Sequence, residues 1–448
     1  MGDERPLPRA SEVPFFGSSL HYVRDPLGFL ERTARKGDLV AMRFMQHRAW
    51  LASDPDDIEQ VLVKNASKFQ KDVFLRDLKR LLGEGLLTAE GAKWKRQRRL
   101  IQPAFHREKI AGYGRTMVEH TARMLDGWRD GTTLDMHHAM MLLTADIVTG
   151  ALFGTDVGDD ARAVADCIDV LMERFSDPLF LLFPGLDKLP LPVNKRFEAV
   201  AVKLDAIVRG FIAKRRASGE PVAGDDLLAM LLNARDEDGS RMDDQTVRDE
   251  VLVLFLAGHE TTALNLSWTF DLLSQNPDAE AKLHAELDAV LGGRAPTLED
   301  IPKLVYTERV VKESLRLRPP AWALGREALE PFELRGRRFE VGSWMWMIPW
   351  VVHRDPRWYP EPERFSPERW EDGLAKRLPK FAYLPFGGGP RICIGNQFAM
   401  MEAVLLLSSI AQRFSLRRAP GHKVVPVPSV TLRFKHGLRM TLTARRRG

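Results

Sequence analysis

The sequence predicts a mainly α-helical protein with small β-sheets gathered at one side, on three observations. Near the start, DLVAMRF and RAWLAS alternate apolar and polar residues across a short polar turn, the pattern of a hairpin. From Asp54 to about Arg326 apolar residues recur mostly at helical spacing. After Pro319-Pro320 the chain becomes irregular and rich in strand formers.

Taken in order, the helical stretch contains two apolar segments punctuated like loops, Phe74 to Leu87 and Asp177 to Pro192 (DPLFLLFPGLDKLPLP). They suit surface loops packed on the core, or mobile lids over an apolar cavity. A long candidate helix runs from about Asp244 to Gln275, a length that suggests a central element buried on several sides. Its middle carries Gly258 and a cluster of polar residues, where a core helix would stay apolar. Asn276-Pro277 then offers a cap and a first-turn proline. Leu283, Leu287, Val290 and Leu291 follow on one face, with Gly292-Gly293 as the stop. At the end, TLRFK and LRMTLT flank His436-Gly437, a second hairpin signal.

At 448 residues, length alone suggests two or three domains. No Ser/Gly-rich or Pro-rich linker divides the chain, so residues 1–448 are expected to form one domain, a β-rich lobe near the N-terminus plus a larger helical lobe. Hydrophobic residues at 44% and charged residues at 28% supply an ordinary globular core and surface. The two cysteines, Cys167 and Cys393, allow at most one disulfide, which excludes a secreted disulfide scaffold and fits a reducing interior. The N-terminus MGDERPLPRASEVPFFGSSL has no apolar h-region, and the apolar stretch Val251 to Leu273 carries His259 and Glu260 at its centre. The expectation is a cytoplasmic monomer without a membrane anchor. Net charge is +5, and basic residues crowd at Lys93, Lys95, Arg96, Arg98 and Arg99, with Arg107 and Lys109 soon after. Without a groove motif or a row of stacking aromatics, this patch suits an acidic protein partner better than nucleic acid.

The strongest chemical signal is FGGGPRICIGNQFA, Phe386 to Ala399. Three glycines followed by Pro390 force an irregular loop whose backbone can approach another group closely. An apolar helix (Phe398, Met401, Leu405) starts just after Cys393 and Gly395, so the cysteine sits at a helix N-terminus, where a thiolate is favoured. A thiolate there is a nucleophile or a metal ligand. Nothing resembles a protease signature, and a purely structural cysteine leaves the glycine-rich setting unexplained.

Phe386-x-x-Gly389-x-Arg391-x-Cys393-x-Gly395 resembles the haem-binding loop of the cytochrome P450 family. The resemblance implies that fold, with a haem between a long central helix and the cysteine loop. Cys393 would be the proximal iron ligand and Arg391 a propionate partner. Phe386 would shield the sulfur, with Gly387 and Gly395 in the same loop. Trp94 and Arg98 are similar to the family's W-x-x-x-R, where both touch a propionate, and Arg326 aligns with a further basic residue of that kind. Ala257-Gly258-His259-Glu260-Thr261-Thr262 resembles the oxygen-binding stretch. There Gly258 would let the helix distort and leave room above the haem, Thr261 would place a hydroxyl near O2, and Glu260 would help deliver the two protons that the reaction needs. A zinc reading of His259-Glu260 fails, because the second His of H-E-x-x-H is Ala263.

Glu313-x-x-Arg316 resembles the family's E-x-x-R pair. Of two PERF-like stretches, Pro362 to Phe365 and Pro367 to Trp370, the family's spacing to the cysteine loop favours the second, so the resemblance implies that Arg369 completes a structural network. Ala321, Trp322, Ala323 and Leu324 would face the substrate. The whole chain then reads as a haem-thiolate monooxygenase with non-covalent haem b. It would insert one oxygen atom of O2 into an apolar fatty acid, terpenoid, steroid or polyketide-like molecule. Electrons would come from NAD(P)H through an external reductase and a ferredoxin or flavodoxin. A peroxide-driven oxygenase or rearrangement enzyme on the same fold, and a non-enzymatic haem sensor, are the alternatives.

Overall fold

The computed structural model describes residues 6–154, 158–175, 186, 189–217, 219, 221–224 and 226–445. The expected first hairpin forms from β1 (Leu39–Phe44) and β2 (His47–Ala52), antiparallel with Leu39 opposite Ala52. A short strand, β3 (Phe69–Lys71), follows. Residues 74–87 differ from the loop that their punctuation suggested, since two short helices, Val73–Asp77 and Lys79–Leu82, occupy the segment. The Asp72 carboxylate accepts the Leu75 N–H at 3.1 Å to start the first, and Gly83, at φ 63°, ends the second. Leu78, Leu81 and Leu82 are buried, which accounts for the apolar run.

The helical part contains α1 (Gly91–Ile101), α2 (Arg107–Asp126), α3 (Met136–Phe153), α4 (Gly158–Phe175) and α5 (Pro192–Arg216), with β4 (Thr133–Asp135) leading into α3. Of the second expected loop, only Leu186 and residues 189–192 fall within the described residues. α6 (Asp244–Ser274) is the long central helix, started by the Asp243 carboxylate, which accepts the Thr246 N–H at 2.7 Å. α3, α5, α8 (Val305–Leu317) and α9 (Asn396–Ala411) pack around it. α7 (Pro277–Leu291) has its proline in the first turn and Gly292 in the left-handed conformation as its stop, while the Asn276 amide donates backward to Leu272 O rather than capping. α3 is long and apolar enough to cross a membrane, yet 67% of that window is buried inside the fold.

A five-stranded sheet has the order β1-β2-β8-β5-β3, with β5 (Leu324–Ala328) and β8 (Trp344–Met347); only β2 and β8 run parallel in it. β6 (Phe332–Leu334) and β7 (Arg337–Phe339) form a separate hairpin. Near the C-terminus, β9 (Phe414–Arg418), β10 (Pro426–Pro428), β11 (Leu432–Phe434) and β12 (Arg439–Ala444) correct the last hairpin expectation. β11 pairs with β10, and β12 pairs with β9 and β4. The chain diverges at Gly437, at φ 65°, because Leu438 is drawn onto the start of α3: its N–H donates to Asp135 at 3.0 Å and its carbonyl accepts from Met136.

Candidate functional site

The cysteine loop is threaded through a narrow space. A Cβ at Gly389 would lie 1.9 Å from the Leu62 carbonyl oxygen, and one at Gly388 would lie 2.2 Å from the Phe381 ring. Gly387 and Gly389 both take φ near +70°. Phe386 presents its carbonyl to the Cys393 N–H at 3.0 Å. Gly395 caps α9, and its own N–H points at the Cys393 sulfur. Cys393 is accessible to a water-sized sphere although it lies deep among protein atoms, so it lines an inner opening. Burial pushes its thiol up, against the Gly395 N–H and Arg98. The thiolate expected from the helix start alone therefore does not form in the bare protein, where desolvation outweighs the helix N-terminus.

Basic groups converge beside this loop. Arg98 donates to the carbonyl of Ile392 at 2.8 Å. Arg391 lies over the Trp94 ring at 4.3 Å, donates to Ala89 O at 2.8 Å and is ion-paired with Glu90. Arg326 on β5 stands directly opposite Lys71 on β3, and burial lowers both, Arg326 to about 10 and Lys71 well below the usual lysine range. Lys71 donates to the Leu87 carbonyl, and its N–H goes to Glu90 at 3.0 Å. Like charges in cross-strand register repel, and Lys71 faces Arg326 and Arg391 with only Glu90 and Asp72 in answer. This corner suits further negative charge. Sequence reasoning missed Lys71 and Glu90, since a lone Lys in FQKD and a Glu before a helix carry no pattern.

On α6 the accessible stripe is Leu254, Ala257, Gly258 and Thr261, with Ala257 the most exposed of them. The helix distortion expected at Gly258 is corrected, since α6 runs unbroken; a Cβ there would meet Val148 of α3 at 2.9 Å, so its smallness also serves helix packing. Open space is left chiefly by Ala257. The Thr261 hydroxyl donates to Ala257 O at 2.5 Å. Glu260 points elsewhere, accepting from Thr431 at 2.6 Å and from Arg433 at 2.5 Å. Burial pushes its carboxyl up, but Arg433 and Thr431 outweigh that and hold it below the usual range. α9, which follows Cys393, packs on α6, and its buried Glu402 lies near Thr262 without a hydrogen bond between them among the described residues. The cysteine loop and the Ala257–Thr261 stripe are thus carried by adjoining elements.

Comparison with known proteins decides the family. Residues 6–436 match the model of the cytochrome P450 family. The chain belongs to it. It is a haem-thiolate monooxygenase, 42% identical to cyclooctatin synthase of Streptomyces melanosporofaciens over 94% of this chain and 92% of that one. It is 39% identical to cyclooctat-9-en-7-ol 5-monooxygenase of the same organism, over 91% and 89%. Among solved structures, the heme domain of cytochrome P450DA matches with a TM-score of 0.87 at 26% identity, over 99% of this chain and 98% of that one.

The residues of this P450 fit a haem. Its donor set offers one accessible sulfur in a glycine cradle, and cations with too few carboxylates stand beside it. Cys393 would ligate the iron; Arg391, Arg326, Lys71, Trp94 and Arg98 would hold the propionates, Arg391 by exchanging Glu90. Behind the loop, Glu313 and Arg316 form a fully buried two-point pair at 2.8 and 2.9 Å. Arg369 reaches Glu313 at 3.3 Å, and Trp370 donates to it at 2.9 Å. Arg316 also donates to the carbonyls of His353, Pro362 and Arg364, so one guanidinium ties three turns of irregular chain together. Of the expected substrate residues, Ala321, Ala323 and Leu324 are half-buried, and a Leu324 methyl lies 3.9 Å from where a Gly387 Cβ would sit. Trp322 is corrected to a core residue, 5% exposed with its indole N–H on Ser429 O at 2.7 Å.

Proposed function

We propose that this cytochrome P450 hydroxylates a cyclic terpenoid in the cytoplasm. Electrons pass singly from NAD(P)H through an external reductase and a ferredoxin or flavodoxin. The observation that carries the reading is Ala257: only a methyl group stands at the most exposed position in the middle of α6, beside Gly258, which leaves width for a compact carbocycle. The likeness to terpenoid-modifying enzymes supports the same class over a fatty acid, steroid or polyketide.

Bound haem supplies O2 activation and the oxidising power; the protein supplies ligation, positioning, dryness and protons. Cys393 gives up its thiol proton to become the ligand. Thr261 offers a hydroxyl that turns from Ala257 O to donate toward the oxygen side, and Glu260 resupplies the proton. Ala321 and Leu324 bound the substrate. The acidic donor docks at the hollow formed by Lys95, Arg98, Arg99 and His106, next to the Ile392–Cys393 loop.

Spectral titration tests the substrate class, because a substrate seated beside Ala257 and Thr261 would change the surroundings of a bound haem and so its absorption band. Cyclic terpene hydrocarbons and their monohydroxy derivatives should give saturable shifts and hydroxylated products with a ferredoxin system. Shifts and products from straight-chain fatty acids alone would overturn the assignment.

A further inference from the structure

The three buried glutamates of α6 and α9 differ in what answers them. No ion pair reaches Glu250 or Glu402 among the described residues, and burial pushes each up to about 8. Glu260 is equally buried, yet it lies below the usual carboxylate range because Arg433 is beside it. The other titratable groups facing Glu260 are His259 on the same helix and His137 on α3. Burial lowers each to about 4, so both are neutral at pH 7 and leave the negative charge to Arg433.

Arg433 lies on β11 of the C-terminal hairpin and Thr431 just before it, and both donate to the same Glu260 oxygen. The hairpin is anchored to the core: the Trp268 indole donates to Leu432 O at 2.9 Å, and the Leu432 N–H donates to Pro320 O at 3.0 Å. Its tip residue Val430 packs against the apolar cluster that holds Leu78, Leu82 and Leu86 with Val253 and Leu256 of α6. Consecutive helix residues project about 100° apart. Glu260 therefore faces the hairpin while Thr261 faces the Ala257 carbonyl.

We propose that Arg433 and Thr431 are positioning residues for proton delivery: they hold the Glu260 carboxylate on the hairpin side of α6, and a proton reaches Thr261 only when this ion pair opens. The inference rests on the role of Glu260 given above, and the experiment separates the two. Arg433→Gln removes the charge and keeps a hydrogen-bonding side chain, so Glu260 should move up toward the behaviour of Glu402. An infrared carboxyl band of a protonated acid should appear at neutral pH in addition to those of Glu250 and Glu402. It should fade as pH rises above neutrality and be missing from the Glu260→Gln/Arg433→Gln double variant.

The share of NAD(P)H electrons recovered in product should acquire a pH step in that same range, absent from the parent. Arg433→Gln should change nothing further once Glu260 is already Gln, because it acts through that carboxylate. Thr431→Val, which keeps the ion pair, should shift the band and the coupling the same way but less. It carries the test if Arg433→Gln fails to retain haem. If Glu260→Gln alters coupling while neither hairpin variant changes band or coupling, the inference is wrong and the role of Glu260 stands. If Glu260→Gln leaves coupling unchanged, both fall.

Discussion

Lys71 and Arg326 stand opposite each other across the β3–β5 ladder, two cations in direct register beside the cysteine loop. Such a pair is costly in the bare protein and useful to a dianionic cofactor. Lys71→Met should therefore weaken haem retention while leaving the apoprotein at least as stable. A charge-assisted hydrogen bond contributes roughly 1.5–3 kcal/mol, or about ten- to a hundredfold in affinity. Haem transfer to apomyoglobin measures the first quantity and denaturant unfolding of the apoprotein the second. A variant that unfolds more easily but keeps haem as well as the parent would contradict this account.

Cys393 carries a proton in the bare protein, since burial raises the thiol against the Gly395 N–H and Arg98. Ligation must remove that proton, so binding is stronger at higher pH until the raised value is reached, and flat above it. Comparing the parent with Cys393→Ser cancels the propionate and lysine contributions. The affinity ratio of the two for ferric haem should rise about tenfold per pH unit through neutrality. A ratio that stays constant over that interval rules the mechanism out.

Arg369 and Arg364 come from the two competing PERF-like stretches, and the structure distinguishes them. Arg369 reaches the fully buried Glu313, whereas Arg364 pairs with Glu361 on the surface. Arg369→Ala leaves a buried charge with one partner fewer and should cost about 3–5 kcal/mol at most. Arg364→Ala should cost less than about 1 kcal/mol. Thermal unfolding of the two variants checks the order, and equal losses would refute it.

Gly389 and Gly395 both belong to the cysteine loop but answer different demands. At Gly389 an added methyl meets backbone at 1.9 Å and φ is positive; at Gly395 it meets the Phe105 ring at 3.6 Å with φ at −93°. Gly389→Ala should displace the loop and abolish haem uptake, while Gly395→Ala should change apoprotein stability by less than about 1 kcal/mol. Unfolding curves and haem titration read both.

Docking of the electron donor is best tested at Lys95, because Arg96 is already held by Asp236 at 2.7 Å and by Ser240 at 3.0 Å. Lys95→Glu should slow reduction by the ferredoxin and flatten its dependence on salt. Reversing Arg96 also places it against Asp236 and so mixes a local fold defect into the rate. Unchanged kinetics at Lys95 would place docking elsewhere.

How much of this was legible in the sequence follows from the range of each interaction. The central helix and the glycine loop around Cys393 depend on local pattern and could be read directly, while the choice of Arg369 came from the family's spacing. The pairing of β11 with β10 could not, because it depends on Leu438 docking at Asp135. Residues 74–87 were taken for loop because their two helices are only 5 and 4 residues long, too short for periodicity to register. Gly258, Trp322 and Glu260 were placed by resemblance, while their actual neighbours, Val148, Ser429 and Arg433, lie far along the chain. Lys71 acquires meaning only from Arg326 across the ladder.

The sulfur–iron bond is the centre of the account, and carbon monoxide reports on it directly. The purified protein, loaded with haem, reduced and exposed to carbon monoxide, should show the red-shifted Soret band of thiolate ligation, and Cys393→Ser should lose it. A parent spectrum without that band, or a Cys393→Ser spectrum that keeps it, would contradict the assignment of Cys393 as the ligand.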